Sequence, residues 1–239
     1  MLKKLIKSAL KKTGRVLHPY NEHEEKLKLV KDKWLKNYGI RTVIDVGANN
    51  GWYAQRIRQL LPYAMIYSFE PLQLPYEKLV SKFENDDRFK AYNIACDTMK
   101  GSKSFFENKK SVSSSFLPMA DLHKKSFPGS AEVNEIRVET DTLNNIFQST
   151  EIASKAMLKM DVQGYELNVL KGADILLSKI DLIYTEVSFR ELYEGQPLIN
   201  EITEFLMEKG FIISGIDHVD RSLIDGSSLQ ADVYFEKRG

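Results

Sequence analysis

The sequence feature that most constrains the fold is an apolar segment that contains one acid and then turns on small residues. It reads V-I-D-V-G-A-N-N-G over residues 43–51. An apolar run of this kind is typical of a parallel strand that is buried on both faces. Gly47 and Gly51 lack a Cβ atom, so the backbone of the turn can approach a ligand closely. Apolar residues near helical spacing follow from Trp52 to Leu60. Because open α/β sheets bind ligands outside the carboxyl ends of their strands, this segment is the first candidate for a binding site.

A second predicted strand also ends in an acid. Residues 66–71 read I-Y-S-F-E-P, with Glu70 followed by Pro71. A carboxylate at the end of the second strand suits the two hydroxyls of a ribose. The turn after the first strand has the pattern G-x-x-x-G and lacks the central glycine of the dinucleotide fingerprint G-x-G-x-x-G. We therefore expect a nucleoside-like ligand without a pyrophosphate, and the alternative is a plain βαβ unit with a surface carboxylate.

Three motifs, taken in order, resemble the FkbM-type methyltransferases. They are D-V-G-A-N-N-G at 45–51, F-E-P at 69–71 and L-K-M-D-V-Q-G-Y-E-L-N-V-L-K-G at 158–172. The resemblance runs from about Thr42 to Phe235. It implies an S-adenosylmethionine-dependent O-methyltransferase of the class I fold, with a hydroxylated acceptor that is often a sugar or glycan. In class I methyltransferases the position of Asp97 often faces the adenine. The implied cofactor-binding residues are Asp45, Gly47, Asn49, Gly51, Glu70, Pro71 and Asp97.

The alternation of strands and helices predicts an α/β fold of the Rossmann-like class I methyltransferase type. We expect a seven-stranded, mostly parallel sheet with the order 3-2-1-4-5-7-6, an antiparallel last strand and helices on both faces. The remaining strands are predicted at 89–95, 156–161, 181–187, 211–216 and 232–236, with added strands at 102–107 and 135–139. Further helices are predicted at 75–83, 165–172 and 199–209. The polar loop 109–130 is expected to be a lid, an acceptor wall or a mobile insertion.

The N-terminal residues predict helices outside the main domain. Residues 1–39 are expected to form a helical extension, and residues 40–239 the methyltransferase domain. Leu2, Leu5, Ile6 and Leu10 lie on one helical face, beside six basic residues and with no acid before Glu22. Such a segment, residues 1–17, either makes a peripheral contact with an anionic membrane surface or docks on the protein. A second helix is expected over residues 21–36.

Composition excludes several classes of protein. The 239 residues are 43% hydrophobic and 28% charged, which suits one soluble α/β domain. The formal net charge of +1 gives no reason to expect a nucleic-acid partner. A single cysteine, Cys96, excludes an intramolecular disulfide and a cysteine-rich zinc site. No apolar run approaches the roughly 20 residues of a membrane span. We expect a cytoplasmic protein, with residues 1–17 as a peripheral contact at the inner membrane surface.

The candidate catalytic residues lie at the ends of the fourth and fifth strands. Lys159 and Asp161 point to the same side of the fourth strand, and a lysine at that position requires a partner, for which Asp161 is the natural candidate. A sugar hydroxyl is a poor nucleophile, so a base or a metal must help to remove its proton. Asp161 is the first candidate base, followed by Glu186 and by His218 in the last loop. If Mg²⁺ or Mn²⁺ is used, Asp161 and Glu186 supply oxygen ligands. The catalytic set is therefore Asp161, Lys159, Glu186 and His218.

Less specific interpretations remain open. Lys159, Asp161 and Glu186 can instead form a structural ion-pair network, and His218 can be an ordinary loop histidine. A nucleotide-binding oxidoreductase is disfavoured by the missing central glycine. A non-catalytic relative that keeps the fold stays open, because the family usually has a glutamate where this chain has Gln163.

Overall fold

Two sheets organise the part of the chain that the structure describes. The structure is a computed structural model that describes residues 29–30, 32–108, 113–126 and 133–238. The strands are β1 Thr42–Val46, β2 Met65–Phe69, β3 Phe89–Tyr92, β4 Ala95–Cys96, β5 Gly101–Asn108, β6 Val133–Asp141, β7 Ala156–Met160, β8 Leu182–Ser188, β9 Phe211–Arg221 and β10 Ser228–Lys237. The helices are α1 Trp34–Tyr38, α2 Trp52–Leu60, α3 Gln73–Lys82, α4 Asp121–Ser126, α5 Leu143–Ile146, α6 Glu166–Lys171 and α7 Ile199–Glu208, with a 3₁₀ turn at Leu176–Lys179.

The large sheet has the predicted topology. Its seven strands follow the order β3-β2-β1-β7-β8-β10-β9. β1 is third in this order, parallel to β2 on one side and to the central strand β7 on the other. β10 is antiparallel to both β8 and β9. The predicted order 3-2-1-4-5-7-6 is therefore confirmed, and the carboxyl ends of β1, β2 and β7 meet at one edge of the sheet.

Both faces of the large sheet are covered, as the apolar strands predicted. All five residues of β1 and all five of β7 are buried. Ile44 and Leu158 belong to the core on one face, and Val43 and Met157 to the core on the other. The sheet therefore presents only its strand ends to a ligand.

The predicted third strand is wrong in its length. Residues 89–95 divide into β3, in the large sheet, and β4, which pairs with β6 in the three-stranded sheet. Asn93 lies between them, and its side-chain amide donates to the carbonyl groups of Glu70 and Pro71 at 2.9 and 3.0 Å. These bonds fix the chain where it leaves the large sheet. The added strands β5 and β6 form an antiparallel pair as expected, and they are longer than predicted.

The loop and terminal predictions have mixed outcomes. α4 lies within the polar segment 109–130, parts of which lie outside the described residues. Gly39 ends α1 with φ +80°, a left-handed value that is common for glycine at a helix C-terminus. The predicted amphipathic helix at 1–17 and the start of the second helix at residue 21 fall outside the described ranges, so the domain boundary at residue 40 stays a prediction. Among the described helices, none is long and apolar enough to cross a bilayer.

Candidate active site

The turn after β1 brings the backbone to the edge of the sheet. Gly47 has φ +74°, and a Cβ atom at this position would collide with the carbonyl group of Asp161. The backbone N–H groups of Gly47 and Ala48 both donate to the carbonyl oxygen of Phe69, at 3.1 and 3.0 Å. Gly51 precedes α2 with φ +83°, and a Cβ atom there would lie 2.7 Å from Leu79. The two glycines therefore permit a close turn over the end of β1, as the sequence predicted.

Glu70 links the end of β2 to this turn. Its side chain is only 4% exposed, and it accepts hydrogen bonds from the backbone N–H groups of Asn49 and Leu72 at 2.8 and 2.9 Å. Burial raises the pKa of Glu70 to about 7, against the opposing effect of these two donors. The carboxylate thus lies at the position that suits a ribose, and its charge changes near neutral pH.

A cleft opens where the strand ends meet the small sheet, and the space between its walls, open solvent included, is about 630 Å³. Most of its lining is apolar, and a few polar side chains lie at one edge. The apolar part includes Phe69, Ile94, Cys96, Phe105, Phe116 and Val162, and the polar part includes Asn49, Glu70, Ser114, Asp161 and Gln163. This arrangement fits a ligand with an aromatic base and a hydroxylated sugar, and Gly47 and Pro71 also line it.

Lys159 has a different partner from the predicted one. Its Nζ atom lies 3.1 Å from Asp45 Oδ1 and donates to the carbonyl oxygen of Gly47 at 3.1 Å. The predicted direct pair with Asp161 is wrong, because the register of β1 and β7 places Asp45 opposite Lys159. Burial alone would lower the pKa of Lys159, but the charges of Asp45 and Asp161 raise it above its usual value. Neither Lys159 nor Asp45 lines the cleft. Their ion pair stabilises the Gly47 turn through the hydrogen bond from Lys159 to the Gly47 carbonyl group.

Asp161 and Glu186 belong to the segments of β7 and β8, which are neighbouring strands of the large sheet. Asp161 comes directly after β7, is exposed, and accepts a hydrogen bond from Gln163 Nε2 at 2.7 Å. Glu186 lies in β8 and accepts a hydrogen bond from Gln230 Nε2 at 2.7 Å. Burial raises the pKa of Glu186, and the negative charges of Asp161 and Glu166 raise it further. The structure thus places both predicted carboxylates near each other, although only Asp161 lines the cleft.

His218 was predicted in a loop, and this placement is wrong. It lies in β9, opposite Asp232, which in turn is opposite Glu186 in β8. The strand pair continues past residue 216 because a register shift between Asp232 and Val233 accommodates an extra residue. His218 is exposed, and its Nε2 atom lies 3.0 Å from Asp220 Oδ1. Within the described ranges, no group of three or more His, Cys, Asp or Glu residues has an arrangement that could hold a metal ion.

Asp97 lies behind the cleft rather than in its lining. Its carboxylate accepts hydrogen bonds from Lys103 Nζ at 2.6 Å and from the Tyr165 hydroxyl at 2.8 Å. Burial opposes ionisation, but these bonds and one from the Thr98 backbone hold the pKa of Asp97 below its usual value. Lys103 also lies near the Phe116 and Tyr165 rings, which line the cleft. Contact between Asp97 and an adenine stays a prediction.

Some residues around the site were not predicted from the sequence. Glu166 Oε1 accepts hydrogen bonds from the backbone N–H groups of Val162 and Gly164, at 3.2 and 3.3 Å, and so closes the turn after β7. Phe116 reaches the cleft from the long polar loop, where an isolated aromatic residue was the only sequence signal. Tyr193 contacts Gln163 from a distant loop, and nothing in the local sequence indicates this contact.

The sheet order, the glycine turn and the cleft at the strand ends together define the class I methyltransferase fold. The chain belongs to the FkbM methyltransferase family, because the family model of the methyltransferase FkbM domain matches residues 45–213. The predicted S-adenosylmethionine-dependent O-methyltransferase is thereby confirmed in family and reaction, and the nucleotide-binding oxidoreductase is disfavoured.

Two relatives of established name are similar over most of the domain. The chain is 29% identical over 170 residues to the 2-O-methyltransferase NoeI of Sinorhizobium fredii, covering 69% of this chain and 70% of that protein. It is 26% identical over 176 residues to the hexuronic acid methyltransferase AglP of Haloferax volcanii, covering 71% and 68%. A solved structure, magnesium protoporphyrin IX methyltransferase from Synechocystis with bound S-adenosylmethionine, is similar with a TM-score of 0.45 and 10% identity, over 90% of this chain and 80% of that chain.

Proposed function

We propose that this protein transfers a methyl group from S-adenosylmethionine to a hydroxyl group of a sugar or glycan precursor. The observation that carries the proposal is that Glu70 and Asp161 line the same cleft, one at the end of β2 and the other after the central strand β7. The first carboxylate suits a ribose and the second lies where an acceptor hydroxyl can reach it. The names of the two relatives, one a 2-O-methyltransferase and the other a hexuronic acid methyltransferase, support a sugar acceptor.

The residues of the cleft fit the cofactor. Gly47 lines the cleft, and its turn admits no Cβ atom because that atom would collide with the carbonyl group of Asp161. Glu70 offers an acceptor to the ribose hydroxyls. Phe69, Ile94 and Phe116 offer apolar contacts to the base. When bound, S-adenosylmethionine supplies an electrophilic methyl group on a positively charged sulfur. The protein's main task is then to align the acceptor oxygen with that methyl group.

Asp161 is the residue that we assign to the acceptor proton. It is exposed at the mouth of the cleft, and its carboxylate is oriented by the Gln163 amide. Glu186 lies outside the lining of the cleft, and burial raises its pKa, so it is less suited than Asp161 to act as the base. His218 lies two strands from Glu186, opposite Asp232, and its ring contacts Asp220. A base in this position contributes about 10² to 10⁴-fold to such a reaction.

The charge around Asp161 favours a neutral or amino sugar over a uronic acid. Glu186 and Asp232 are paired across β8 and β10, and the charge of Asp161 raises the pKa of both, after burial. An added carboxylate on the acceptor would meet the negative charge of Asp161 and be disfavoured. The preference would distinguish this protein from a relative that methylates hexuronic acid.

A transfer assay tests the proposal. Methyl-labelled S-adenosylmethionine is incubated with neutral, amino and uronic acid nucleotide sugars, and label in the sugar product is measured. We expect transfer to a neutral or amino sugar, and at least a hundredfold loss of turnover in Asp161→Asn with cofactor affinity retained. Cofactor binding without transfer to any sugar would favour the non-catalytic alternative. Full turnover in a well-folded Asp161→Asn protein would refute the role of Asp161.

The same assay tests the metal prediction. If Asp161 and Glu186 hold Mg²⁺ or Mn²⁺, a chelator should abolish turnover and either ion should restore it. Turnover that is unchanged by the chelator would assign the proton to Asp161 acting directly.

The N-terminal segment extends the proposal to a membrane surface. Its six basic residues can each contribute about 1 kcal/mol at an anionic surface, and salt screens this attraction. We expect the full chain to co-sediment with anionic liposomes at low salt, and a chain that starts at Asn21 not to do so. Equal sedimentation of the two chains would leave residues 1–17 as a docked helix or a protein contact.

A further inference from the structure

A chain of hydrogen bonds leads from the cleft to a buried histidine. Asp161 Oδ1 accepts from Gln163 Nε2 at 2.7 Å, and Gln163 Oε1 accepts from the Tyr193 hydroxyl at 2.7 Å. The Tyr193 hydroxyl oxygen lies 3.3 Å from His123 Nε2. Tyr193 is 2% exposed and His123 is 4% exposed, so the far end of this chain is shielded from water.

The partners fix the direction of each hydrogen bond. A carboxylate can only accept, so the NH₂ group of Gln163 must face Asp161 and its oxygen must face Tyr193. Burial, and after it the charge of Glu186, raises the pKa of Tyr193, so the phenol keeps its single proton and donates it to Gln163. His123 must then donate from Nε2 to the phenol oxygen. Burial lowers the pKa of His123, which favours this neutral form.

The backbone around Gln163 is held in an unusual conformation. Gln163 has φ +55°, a left-handed value that is rare for a residue other than glycine. The Ser115 hydroxyl donates to the Gln163 carbonyl at 2.7 Å. A Cβ atom on Gly164 would lie 3.1 Å from Gln196 and 3.3 Å from Tyr193, so the turn packs closely on that loop. Strain of this kind persists only where the surroundings over-determine it, and it is common at functional sites.

The loop that carries Tyr193 is itself fixed. Gln196 Oε1 accepts from the backbone N–H groups of Leu192 and Tyr193, at 2.7 and 2.6 Å. Met119 forms an isolated bridge with Tyr193 from the segment that leads to His123. The loop of Tyr193 therefore contacts the Gln163 side chain, the segment of Ser115 contacts the Gln163 backbone, and Met119 joins the two.

We propose that Tyr193 and His123 hold the Gln163 amide in one orientation, and that Gln163 is a positioning residue that aims the Asp161 carboxylate at the acceptor hydroxyl. The inference rests on the proposed function, in which Asp161 receives the acceptor proton. An amide can donate to a carboxylate and accept from a phenol without adding charge. The titratable groups that interact electrostatically with Asp161 include Asp45, Lys159, Glu166, Glu186 and Asp232.

Nuclear magnetic resonance of the side-chain amide tests the geometry without an acceptor. The Gln163 NH₂ signals are identified by their absence in Gln163→Ala. We expect them to be well separated in the wild type, and to move toward the values of a free amide in both Asp161→Asn and Tyr193→Phe. Tyr38→Phe is the matched control, because it removes another phenol–carboxylate bond, to Glu236 at 2.8 Å, on a different part of the sheet. Signals that do not respond to Asp161→Asn or Tyr193→Phe would overturn the proposal.

Turnover distinguishes positioning from simple structural support. Using the nucleotide sugar with the highest rate in the transfer assay, we expect Gln163→Ala and Tyr193→Phe to lower kcat about tenfold to a hundredfold with little change in KM for the cofactor. Gln163→Glu places a second carboxylate beside Asp161, so the two should share a proton, and the acid limb of the pH profile should move to higher pH. If Tyr193→Phe does not fold, the pH profile of Gln163→Glu still tests the inference. An unchanged kcat in Gln163→Ala and Tyr193→Phe, together with an unchanged pH profile in Gln163→Glu, would overturn the inference and leave the proposed function standing. A wild-type protein that transfers no methyl group to any sugar would count against the proposed function alone.

Discussion

Cofactor affinity is expected to depend on pH through Glu70. This carboxylate is buried, already accepts from two backbone N–H groups, and has a pKa of about 7. We expect only its ionised form to accept from the two ribose hydroxyls as well, because the protonated form loses acceptor capacity. With a pKa of about 7, roughly 90% of the carboxylate is ionised at pH 8 and about 10% at pH 6. The affinity should therefore fall about tenfold between these values, which corresponds to roughly 1.4 kcal/mol.

Calorimetric titration with S-adenosylmethionine at pH 6, 7 and 8 measures this effect. At pH 7 about half a proton should be released on binding, so the observed heat should differ between buffers of different ionisation enthalpy. Glu70→Gln should bind more weakly at pH 8 and should lose the pH dependence. Glu77→Gln is the matched control, because Glu77 is exposed on α3 and its only described side-chain bond is to Gln73.

Two results would refute this reasoning. If the wild-type affinity is constant from pH 6 to pH 8 and no proton is released, Glu70 does not bind the ribose as its ionised form. If Glu70→Gln keeps the wild-type pH dependence, a different group controls binding. Glu166, whose pKa burial also raises to about 7, would then be the next group to substitute.

Two further substitutions test the turns that shape the cleft. Gly47→Ala should weaken cofactor binding at least tenfold, since its Cβ atom would meet the Asp161 carbonyl group. Gly210→Ala, at φ +85°, should show only the backbone strain of about 1–2 kcal/mol, because nothing lies near its Cβ atom. Calorimetry measures cofactor binding and thermal unfolding measures stability, and equal behaviour of the two variants in both would contradict the collision. Glu166 has a folded-state pKa of about 7, above its ordinary value of 4.5, so its contribution to stability is present below pH 4.5 and is lost as the pH rises toward about 7. The free energy of unfolding should fall by up to about 3 kcal/mol over this pH range in the wild type, and Glu166→Gln should reduce that fall. Urea denaturation at several pH values measures it. The same pH dependence in the wild type and in Glu166→Gln would contradict the reasoning.

The sequence was sufficient to predict the sheet because its strands are local apolar runs separated by helices. The β1 turn and the Glu70 position also follow from local residues, since both depend on where a strand ends. The partner of Lys159 does not, because it is decided by the register between β1 and β7, which lie more than a hundred residues apart in the chain. His218 was placed in a loop because a register shift interrupts the alternation that marks a strand. The contacts of Gln163 with Tyr193 could not be predicted, since they require the path of a distant loop.

The register also decides which acid pairs with Lys159. Asp45 takes the lysine below the Gly47 turn, with side chains that are 0% and 7% exposed, so Asp161 is left at the mouth of the cleft. We therefore expect Lys159 to stabilise the fold and the turn, and not to act in the chemical step. Lys159→Met alone leaves Asp45 buried without its direct charged partner, which typically costs about 3–5 kcal/mol. Asp45→Asn together with Lys159→Met removes both charges and should recover a large part of that loss.

A double-mutant cycle measured by urea denaturation decides this point. The coupling free energy between Asp45 and Lys159 should be well above zero, and the double variant should unfold at a higher urea concentration than Lys159→Met. Strictly additive effects would show that the two charges do not stabilise each other. If the double variant is stable and binds the cofactor but transfers no methyl group, at least one of the two charged residues takes part in the reaction, because the loss would then fall on turnover rather than on the support of the Gly47 turn.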